Sequence, residues 1–358
     1  MNDIRRVLSY NDVLLCPRNS ELDHISDANI IIDYDNLPSP FSVIPIVNAP
    51  MDTVCSSELI KYLTYMGMPT TIHRWFSSYE EQLKFLESCK TDCVPNSVFL
   101  AVGNVDKWRD WINGLLQYRT EHNALFGILV DVANGDTKAS INTVEYVRSI
   151  FPNNTNIMAG NIATRSGFCR LQEAGANFIR CGIGGGSCCE TRTATGFGIP
   201  TLTTVFDCAK VKESAYLIAD GGIEYPGDIC KAIAAGADMV MVGKMLAATD
   251  MSSGDKCDKD GNLTVNPDEY KFVHYRGMAS RESINKLNSK KSVVSVEGVS
   301  GLIPYKGRTI DVVQEVCGNL RTAMSYYAGC RTWDEFRRKV KFVEITNAGW
   351  NESLTRVI

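Results

Sequence analysis

One rhythm repeats through most of the chain: a short apolar run rich in β-branched residues, a polar loop, then a segment with helical spacing. Eight such runs are candidate strands, at 42–50, 69–74, 97–103, 127–133, 156–163, 178–183, 216–222 and 238–246. Between the second and third runs, Tyr79, Leu83 and Leu86 recur at helical intervals. Alternating strands and helices predict a parallel sheet. Eight units predict a closed (β/α)8 TIM barrel in the α/β class.

The repeat stops near residue 246, and the rest of the chain has a different composition. We expect a single TIM-barrel catalytic domain over 1–358, with barrel strands at about 42–246 and C-terminal helices and a tail over 304–358. Between them, the flap region (about 249–303) is polar. A long polar segment beside a barrel mouth commonly forms a lid, so we predict a hairpin and a mobile flap there.

An open dinucleotide-binding sheet is the main alternative fold, and the glycine spacing argues against it. That fold needs GxGxxG between an early strand and a helix. The glycine-rich segment here, GIGGGS at 182–187, follows the sixth strand and has Ser187 where the third spaced glycine should stand. We therefore retain the barrel.

Composition narrows the class of protein. Hydrophobic residues make up 44% of the chain and charged residues 22%, with a net charge of −4. These values are ordinary for a soluble protein, and without a long basic run we expect no nucleic-acid partner. No apolar run reaches membrane-spanning length, and the start lacks a signal-peptide core, so we expect no membrane partner and a cytoplasmic protein. The 13 cysteines are odd in number and scattered, which favours free thiols.

The turns after the strands are polar or glycine-rich at almost every corner, where barrel enzymes place their chemistry. After the seventh and eighth strands, the chain reads Asp220-Gly221-Gly222 and Gly243-Lys244. Barrels often bind phosphate through backbone N–H groups at these two corners. Glycines that serve turn geometry alone are the competing interpretation.

The corner after the sixth strand, CGIGGGSCCETR at 181–192, combines flexible glycines with adjacent thiols. Before this corner the chain contains NDVLLCP, APMDTV and DVANG. After it come ADGGI, VMVGKMLA, YRGMAS, PYKG and NLRTAM, in that order. This set, which covers nearly the whole chain, resembles the inosine monophosphate dehydrogenase/guanosine monophosphate reductase family.

The resemblance implies a catalytic role for three residues. Cys189 takes the position of the family's nucleophile, which attacks C2 of a purine nucleotide, and Thr191 takes that of its threonine. Glu297 would pair with Thr191, although a solvated loop carboxylate is the alternative. A thiolate suits this addition because it is nucleophilic at accessible pH and also leaves readily. The family's potassium site would use the carbonyls of Gly184, Gly186 and Cys189.

The resemblance also implies two ligand sets. The purine nucleotide, GMP or IMP, would contact Ser187, Asp220, Gly221, Gly222, Gly243, Lys244, Gly277, Met278, Ala279, Ser280 and Gly298. The nicotinamide cofactor would contact Arg74, Asp131, Val132, Ala133, Asn134, Gly135 and Gly184.

Several positions depart from the family pattern. Gly185 replaces a proline, and Glu190 a threonine or small polar residue. Lys244 replaces a small residue and would add an ammonium near the phosphate. Cys188 replaces an aliphatic residue, which favours a packing role, with redox pairing to Cys189 as the alternative.

Three features favour the reductase over the dehydrogenase. The chain lacks the inserted pair of cystathionine-synthase-type (CBS) modules, since only residues 91–96 separate the second helix from the third strand. DVANG at 131–135 matches the reductase motif. The dehydrogenase's water-activating Arg-Tyr pair is missing, because residues 279–296 contain no tyrosine. Lys290 or Lys291 could substitute for it.

Other details favour the dehydrogenase: His73-Arg74, APMDTV and EGVSGLIPYKG, with Val294 where reductases have an arginine. We expect an NADPH-dependent GMP reductase, with IMP dehydrogenase as the alternative. The resemblance implies a need for K+ and assembly as a homotetramer. NADH or NAD stays open, because Arg74 could bind the extra phosphate or form a structural ion pair. A catalytically silent nucleotide-binding protein and a flavin-phosphate barrel enzyme are further hypotheses.

Overall fold

Eight parallel strands form a barrel, and the computed structural model of the chain describes residues 4–89, 97–287 and 296–355. The strands are Ile46–Asn48, Thr70–Ile72, Val98–Val102, Gly127–Asp131, Ile157–Ile162, Phe178–Cys181, Tyr216–Asp220 and Met239–Val242. From the second strand to the eighth, each pairs in parallel with the next, and the eighth pairs with the first. The predicted TIM barrel is confirmed.

The barrel closes between its first and second strands through a side chain. The buried amide of Asn48 donates to the carbonyl of Thr71 at 2.9 Å and accepts from its N–H at 2.9 Å. The Thr71 hydroxyl in turn donates to the carbonyl of Asn48 at 2.7 Å. These bonds satisfy polar groups that a regular strand ladder would otherwise pair.

Helices follow the strands, as the repeat predicts. The principal helices between strands are Ser57–Tyr65, Tyr79–Ser88, Val105–Glu121, Lys138–Ile150, Arg165–Glu173, Thr201–Ala209 and Pro226–Ala234. Hydroxyls at Ser56, Thr137 and Thr164 accept backbone N–H groups in the first turns of their helices, which fixes where these helices begin. In the second helix Leu83 is buried against the barrel.

Further elements lie outside the repeat. The remaining helices are Thr191–Thr195, Lys244–Ala247, Arg281–Leu287, Thr309–Thr322 with its π-helical continuation Ala323–Tyr327, Trp333–Lys339 and Asn347–Glu352, with 3-10 turns at Tyr10–Asp12, Ile25–Asp27 and Pro267–Glu269. In the flap region, Lys256–Cys257, Phe272–Arg276 and Ser300–Pro304 form an antiparallel sheet. Two further antiparallel pairs join Val13–Leu15 to Phe342–Glu344 and Ile32–Asp33 to Ser42–Val43.

Aromatic side chains close the amino-terminal end of the barrel. Tyr34 and Phe41, from the segment before the first strand, pack on Phe178 and on each other with ring centroids 5.3–5.9 Å apart. The Tyr34 hydroxyl donates to the carbonyl of Asp238 at 2.7 Å. Since this end is filled, the opposite end, where the strands terminate, is the open face of the barrel.

Candidate active site

The glycine-rich loop leaves the sixth strand and is held at both ends by backbone contacts. The N–H of Gly182 donates to the carbonyl of Ile162 at 2.8 Å, and Ile183 pairs with Ile199. At the far end, the N–H of Cys189 donates to the carbonyl of Gly186 at 3.0 Å, which forms a tight turn. This turn presents the Cys189 side chain to solvent.

The three predicted catalytic side chains contact one another in sequence. The Thr191 hydroxyl lies 3.1 Å from the sulfur of Cys189 and donates to the carboxylate of Glu297 at 2.9 Å. The N–H of Glu190 also donates to the carbonyl of Glu297 at 2.8 Å. Glu297 is therefore docked on the cysteine loop by both its side chain and its backbone.

The flap region packs against the glycine-rich loop. Gly298 pairs with Cys189 on one side and with Ser280 on the other. A side chain at Gly298 would lie 3.0 Å from the carbonyl oxygen of Cys188 and 3.2 Å from the N–H nitrogen of Ser280. Glycine is needed here because the backbones approach closely.

Cys188 lies next to the nucleophile candidate in the chain. Its side chain is half-buried, and burial raises the pKa of its thiol to about 11. Its carbonyl accepts the N–H of Val299 at 3.1 Å. Its side chain packs against the hydrophobic core, and both Cys188 and Cys189 are free thiols.

Two adjoining cavities occupy the open face of the barrel, of about 440 Å³ and 340 Å³. The larger is bordered by Cys189, Thr191 and Glu297. The smaller is bordered by the two corners predicted to bind phosphate. Residues shared by both walls include Ser187, Asp220 and Tyr275, so the cavities form one continuous cleft.

Most of the predicted nucleotide-contacting residues line this cleft. The smaller cavity has Ser187, Asp220, Gly221, Gly222, Gly243 and Lys244 in its wall. The larger has Ser187, Asp220, Gly221, Gly277, Met278, Ala279 and Gly298. Ser280 lies elsewhere: it is buried, and its hydroxyl accepts the N–H of Ser283 at the start of helix Arg281–Leu287.

The corner after the seventh strand has a backbone geometry that glycine permits. Gly221 and Gly222 have φ values of +92° and +78°, where other residues are strained. Lys244 extends along the same cavity, with its ammonium 3.7 Å from the carboxylate of Glu224. Since both side chains are about half-exposed, this ion pair is weak.

On the opposite side, the larger cavity is bordered by Arg74, Asp131, Val132, Ala133 and Gly184 from the predicted cofactor set. Asn134 and Gly135 do not line either cavity: the Asn134 side chain accepts the N–H of Asp136, and the N–H of Gly135 donates to Asn161.

Arg74 forms an ion pair, which is one of the two roles that the sequence predicts for it. Its Nε donates to the Asp131 carboxylate at 3.3 Å, and its guanidinium stacks over the rings of Trp75 and Trp108. Asp131 also accepts from Arg180 at 2.6 Å. Burial alone would raise the pKa of Asp131, but the charges of Arg180 and Arg74 outweigh burial and lower it.

Arg180 is a site residue that sequence reasoning missed. It stands inside an otherwise apolar strand, Phe178–Cys181, and reaches the cleft between Asp131 and Asp220. A charged residue in a buried strand was the available signal, because such residues are rarely buried without partners. Tyr275, which borders both cavities, was also missed, although it lies in the YRGMAS motif.

Some predictions fall outside the part of the chain that the structure describes. These are Lys290 and Lys291, the alternative water-activating residues, Val294, and residues 91–96, on which the predicted absence of CBS modules rests. Within the described ranges, no helix is long and apolar enough to cross a membrane, and no group of three or more His, Cys, Asp or Glu side chains is placed to hold a metal.

Comparisons with known proteins identify the relatives of this fold and site. Residues 7–356 match the model of the IMP dehydrogenase / GMP reductase domain. A GMP reductase from Caenorhabditis elegans is 33% identical over 95% of this chain and 92% of the relative, and GMP reductase 2 from Bos taurus is 32% identical over 96% and 95%. An inosine-5'-monophosphate dehydrogenase from Aquifex aeolicus is 38% identical, over 75% of this chain and 54% of the relative.

Proposed function

This chain belongs to the IMP dehydrogenase / GMP reductase family, whose members are oxidoreductases of purine nucleotides, and within it we propose that it is a GMP reductase. The reaction would convert GMP to IMP and ammonia. One observation carries the proposal: a thiol, a hydroxyl and a carboxylate stand in hydrogen-bonding sequence, from Cys189 through Thr191 to Glu297. This order suits thiol addition coupled to proton delivery.

The chemistry divides between the thiol and the relay. The Cys189 thiolate forms a bond to C2 of the guanine ring, and the ring nitrogen takes up the electron pair and a proton. The Thr191 hydroxyl then passes a proton from Glu297 to the amine, which leaves as ammonia when its bond to C2 breaks. The nicotinamide cofactor, when bound, supplies the hydride that takes the amine's place at C2. Expulsion of the Cys189 thiolate and release of the proton from that ring nitrogen complete IMP, so that overall GMP, NADPH and two protons give IMP, NADP+ and ammonium.

The cleft is consistent with nucleotide binding along its whole length. The purine would lie in the larger cavity beside Cys189, against Met278 and Ala279. The ribose hydroxyls would donate to Asp220, whose Oδ2 accepts from Asn161 and Arg180. The phosphate would lie in the smaller cavity, whose wall includes Gly222, Gly243 and Lys244; their backbone N–H groups and the Lys244 ammonium would bind it.

The cofactor side also fits a nicotinamide ring. The larger cavity continues past Cys189 to an aromatic and aliphatic wall, Trp75, Val132 and Ala133, with polar groups at Asp131 and Arg180. We propose NADPH as the reductant. Arg74 is the candidate for its extra phosphate, although the ion pair with Asp131 must then be shared.

We propose K+ at the carbonyls of Gly184, Gly186 and Cys189. The Gly186 carbonyl already accepts the N–H of Cys189, but a carbonyl oxygen has a second lone pair for a cation. Bound there, the ion would hold the tight turn that carries the nucleophile. The homotetramer and the single-domain organisation over 1–358 stand as further proposals, which light scattering and limited proteolysis would test.

Hydrolysis of the purine bonded to Cys189, in place of its reduction, would need a water-activating group beside the thiol. Residues 279–296 contain no tyrosine. Arg281, the first residue of helix Arg281–Leu287, is exposed. Together with DVANG at 131–135, these features favour the reductase.

IMP dehydrogenase remains the second candidate, because an inosine-5'-monophosphate dehydrogenase from Halalkalibacterium halodurans is 41% identical, over 63% of this chain and 46% of the relative. The chain spans about half the length of these dehydrogenases.

The test measures reduced-nicotinamide absorbance in potassium buffer with two mixtures. One contains GMP with NADPH or NADH, and the other IMP with NAD or NADP. Cofactor oxidation with ammonia release in the first mixture alone is expected. Cofactor reduction in the second would assign the dehydrogenase instead. Binding of GMP and IMP without turnover in either mixture would indicate the silent nucleotide-binding protein, and a colourless preparation would exclude a tightly bound flavin.

A further inference from the structure

Arg180 occupies the floor of the cleft between two carboxylates. Its Nη1 donates to Asp131 at 2.6 Å, while Nε and Nη2 donate to a single oxygen of Asp220 at 3.1 and 2.9 Å. Only 8% of its side chain is exposed. The two carboxylates therefore share one buried guanidinium.

The two carboxylates face different parts of the proposed reaction complex. Asp220 borders both cavities and Asp131 borders the larger one alone. Under the proposed function, Asp220 receives the ribose of the nucleotide and Asp131 lies on the nicotinamide side. A ligand that moves or partly neutralises one carboxylate thus changes the hydrogen bonds and the electrostatic attraction between Arg180 and the other carboxylate.

The polar chain extends beyond Arg180 at both ends. Asn161 donates to the same Asp220 oxygen at 2.6 Å and to the carbonyl of Gly182 at 2.9 Å. Arg74 donates to the Asp131 carbonyl at 3.1 Å and to its carboxylate at 3.3 Å. Charges within such a network interact more strongly than in water, because the surrounding protein screens them poorly.

We propose that Arg180 is a positioning residue that makes the binding of nucleotide and of nicotinamide cofactor energetically interdependent. This proposal rests on the proposed function, which assigns the two carboxylates to the two ligands. Because coupling between binding sites is reciprocal, each ligand changes the affinity for the other by the same factor. Arg180 itself touches neither Cys189 nor the proton relay in the described hydrogen bonds.

The experiment asks whether a change on the cofactor side alters nucleotide affinity when no cofactor is present. GMP is titrated calorimetrically into the full chain and into Asp131→Asn, which keeps the shape of the side chain and removes its charge. We expect the dissociation constant for GMP to rise by about 2- to 30-fold, the range for residues on a coupling network. The matched control is Asp136→Asn, whose carboxylate pairs with Arg170 at the surface, and it should leave the constant unchanged.

A second measurement needs no change at Asp131. The affinity for GMP is measured with and without NADP+, an unreactive pair, in the unaltered protein and in Arg180→Lys, where one nitrogen replaces the three guanidinium nitrogens that reach the two carboxylates. Under the proposal, NADP+ changes GMP affinity only in the unaltered protein. Equal GMP affinities for Asp131→Asn and the unaltered protein, or an NADP+ effect that survives Arg180→Lys, would overturn it. If the unaltered protein binds neither GMP nor IMP, the proposed function is what fails.

Discussion

The hydroxyl of Thr191 donates a 2.9 Å hydrogen bond to the carboxylate of Glu297, which lies 106 residues further along the chain. The two residues come from different elements, the start of helix Thr191–Thr195 and the edge of the flap region. Seating of the flap on the cysteine loop therefore completes the proposed proton relay.

Replacing Glu297 by glutamine should disable the relay without displacing the flap. The amide keeps the shape but has no acidic proton to transfer, so we expect kcat for GMP reduction to fall by about 10²- to 10⁴-fold, the usual contribution of a general acid or base. Nucleotide affinity should change little. Steady-state absorbance and calorimetry measure the two quantities. Glu190→Gln is the matched control, because only the backbone N–H of Glu190 contacts Glu297; an equal loss there would contradict the relay.

The adjacent cysteines should differ sharply in reactivity. Cys189 is exposed, whereas burial raises the pKa of Cys188 to about 11, which leaves little thiolate at pH 8. We expect iodoacetamide to modify Cys189 first, with activity lost in parallel and GMP protecting it, as followed by peptide mass spectrometry. Cys189→Ala should be inactive and Cys188→Ala should keep most activity. First modification at Cys188 would reverse the assignment.

Lys244 should contribute to nucleotide affinity through its charge. Its ammonium borders the smaller cavity and pairs only weakly with Glu224. We expect Lys244→Met to raise the dissociation constant for GMP by about tenfold, equivalent to ~1.4 kcal/mol, and to reduce its dependence on salt. Guanosine, which has no phosphate, serves as the control ligand. A matching loss of guanosine affinity would show that Lys244 acts on the shape of the pocket instead.

Stability should depend on pH through Lys256. Burial lowers the pKa of this lysine to about 8, and its ammonium donates to the carbonyl of Gly254 at 2.8 Å. Between about pH 8 and the unfolded pKa near 10.4, the unfolded chain binds the extra proton, so the free energy of unfolding should gain a positive pH slope in this interval. This gain in the free energy of unfolding is complete above the unfolded pKa of Lys256 and is lost as the pH falls through its folded pKa of about 8.

Urea titrations of the unaltered protein and Lys256→Met at pH 7.5, 8.5 and 9.5 measure that slope by difference. The difference in unfolding free energy between the two proteins should widen in favour of the unaltered one as the pH rises. A constant difference would mean that the lysine titrates alike in the folded and unfolded states.

The sequence alone determined the barrel, because alternating strands and helices leave a distinct periodicity. All eight runs contain a barrel strand, and the glycine-rich loop follows the sixth of them. The corners at Asp220 and Gly243 also lie where the repeat predicts, since parallel strands end at the same face. Motifs within a short stretch, such as Cys189 and Thr191, were equally accessible from the sequence.

Tertiary structure decided what depends on partners distant in the chain. The buried Asn48 bridges the first two strands, Arg180 lies between Asp131 and Asp220, and Glu297 reaches Thr191. A side chain at such a position has the same local pattern whether it is solvated, paired or catalytic, and only packing fixes its partner. Local periodicity follows from backbone geometry and can be read in sequence, whereas the pairing of buried charges follows from which strands and loops the fold brings together.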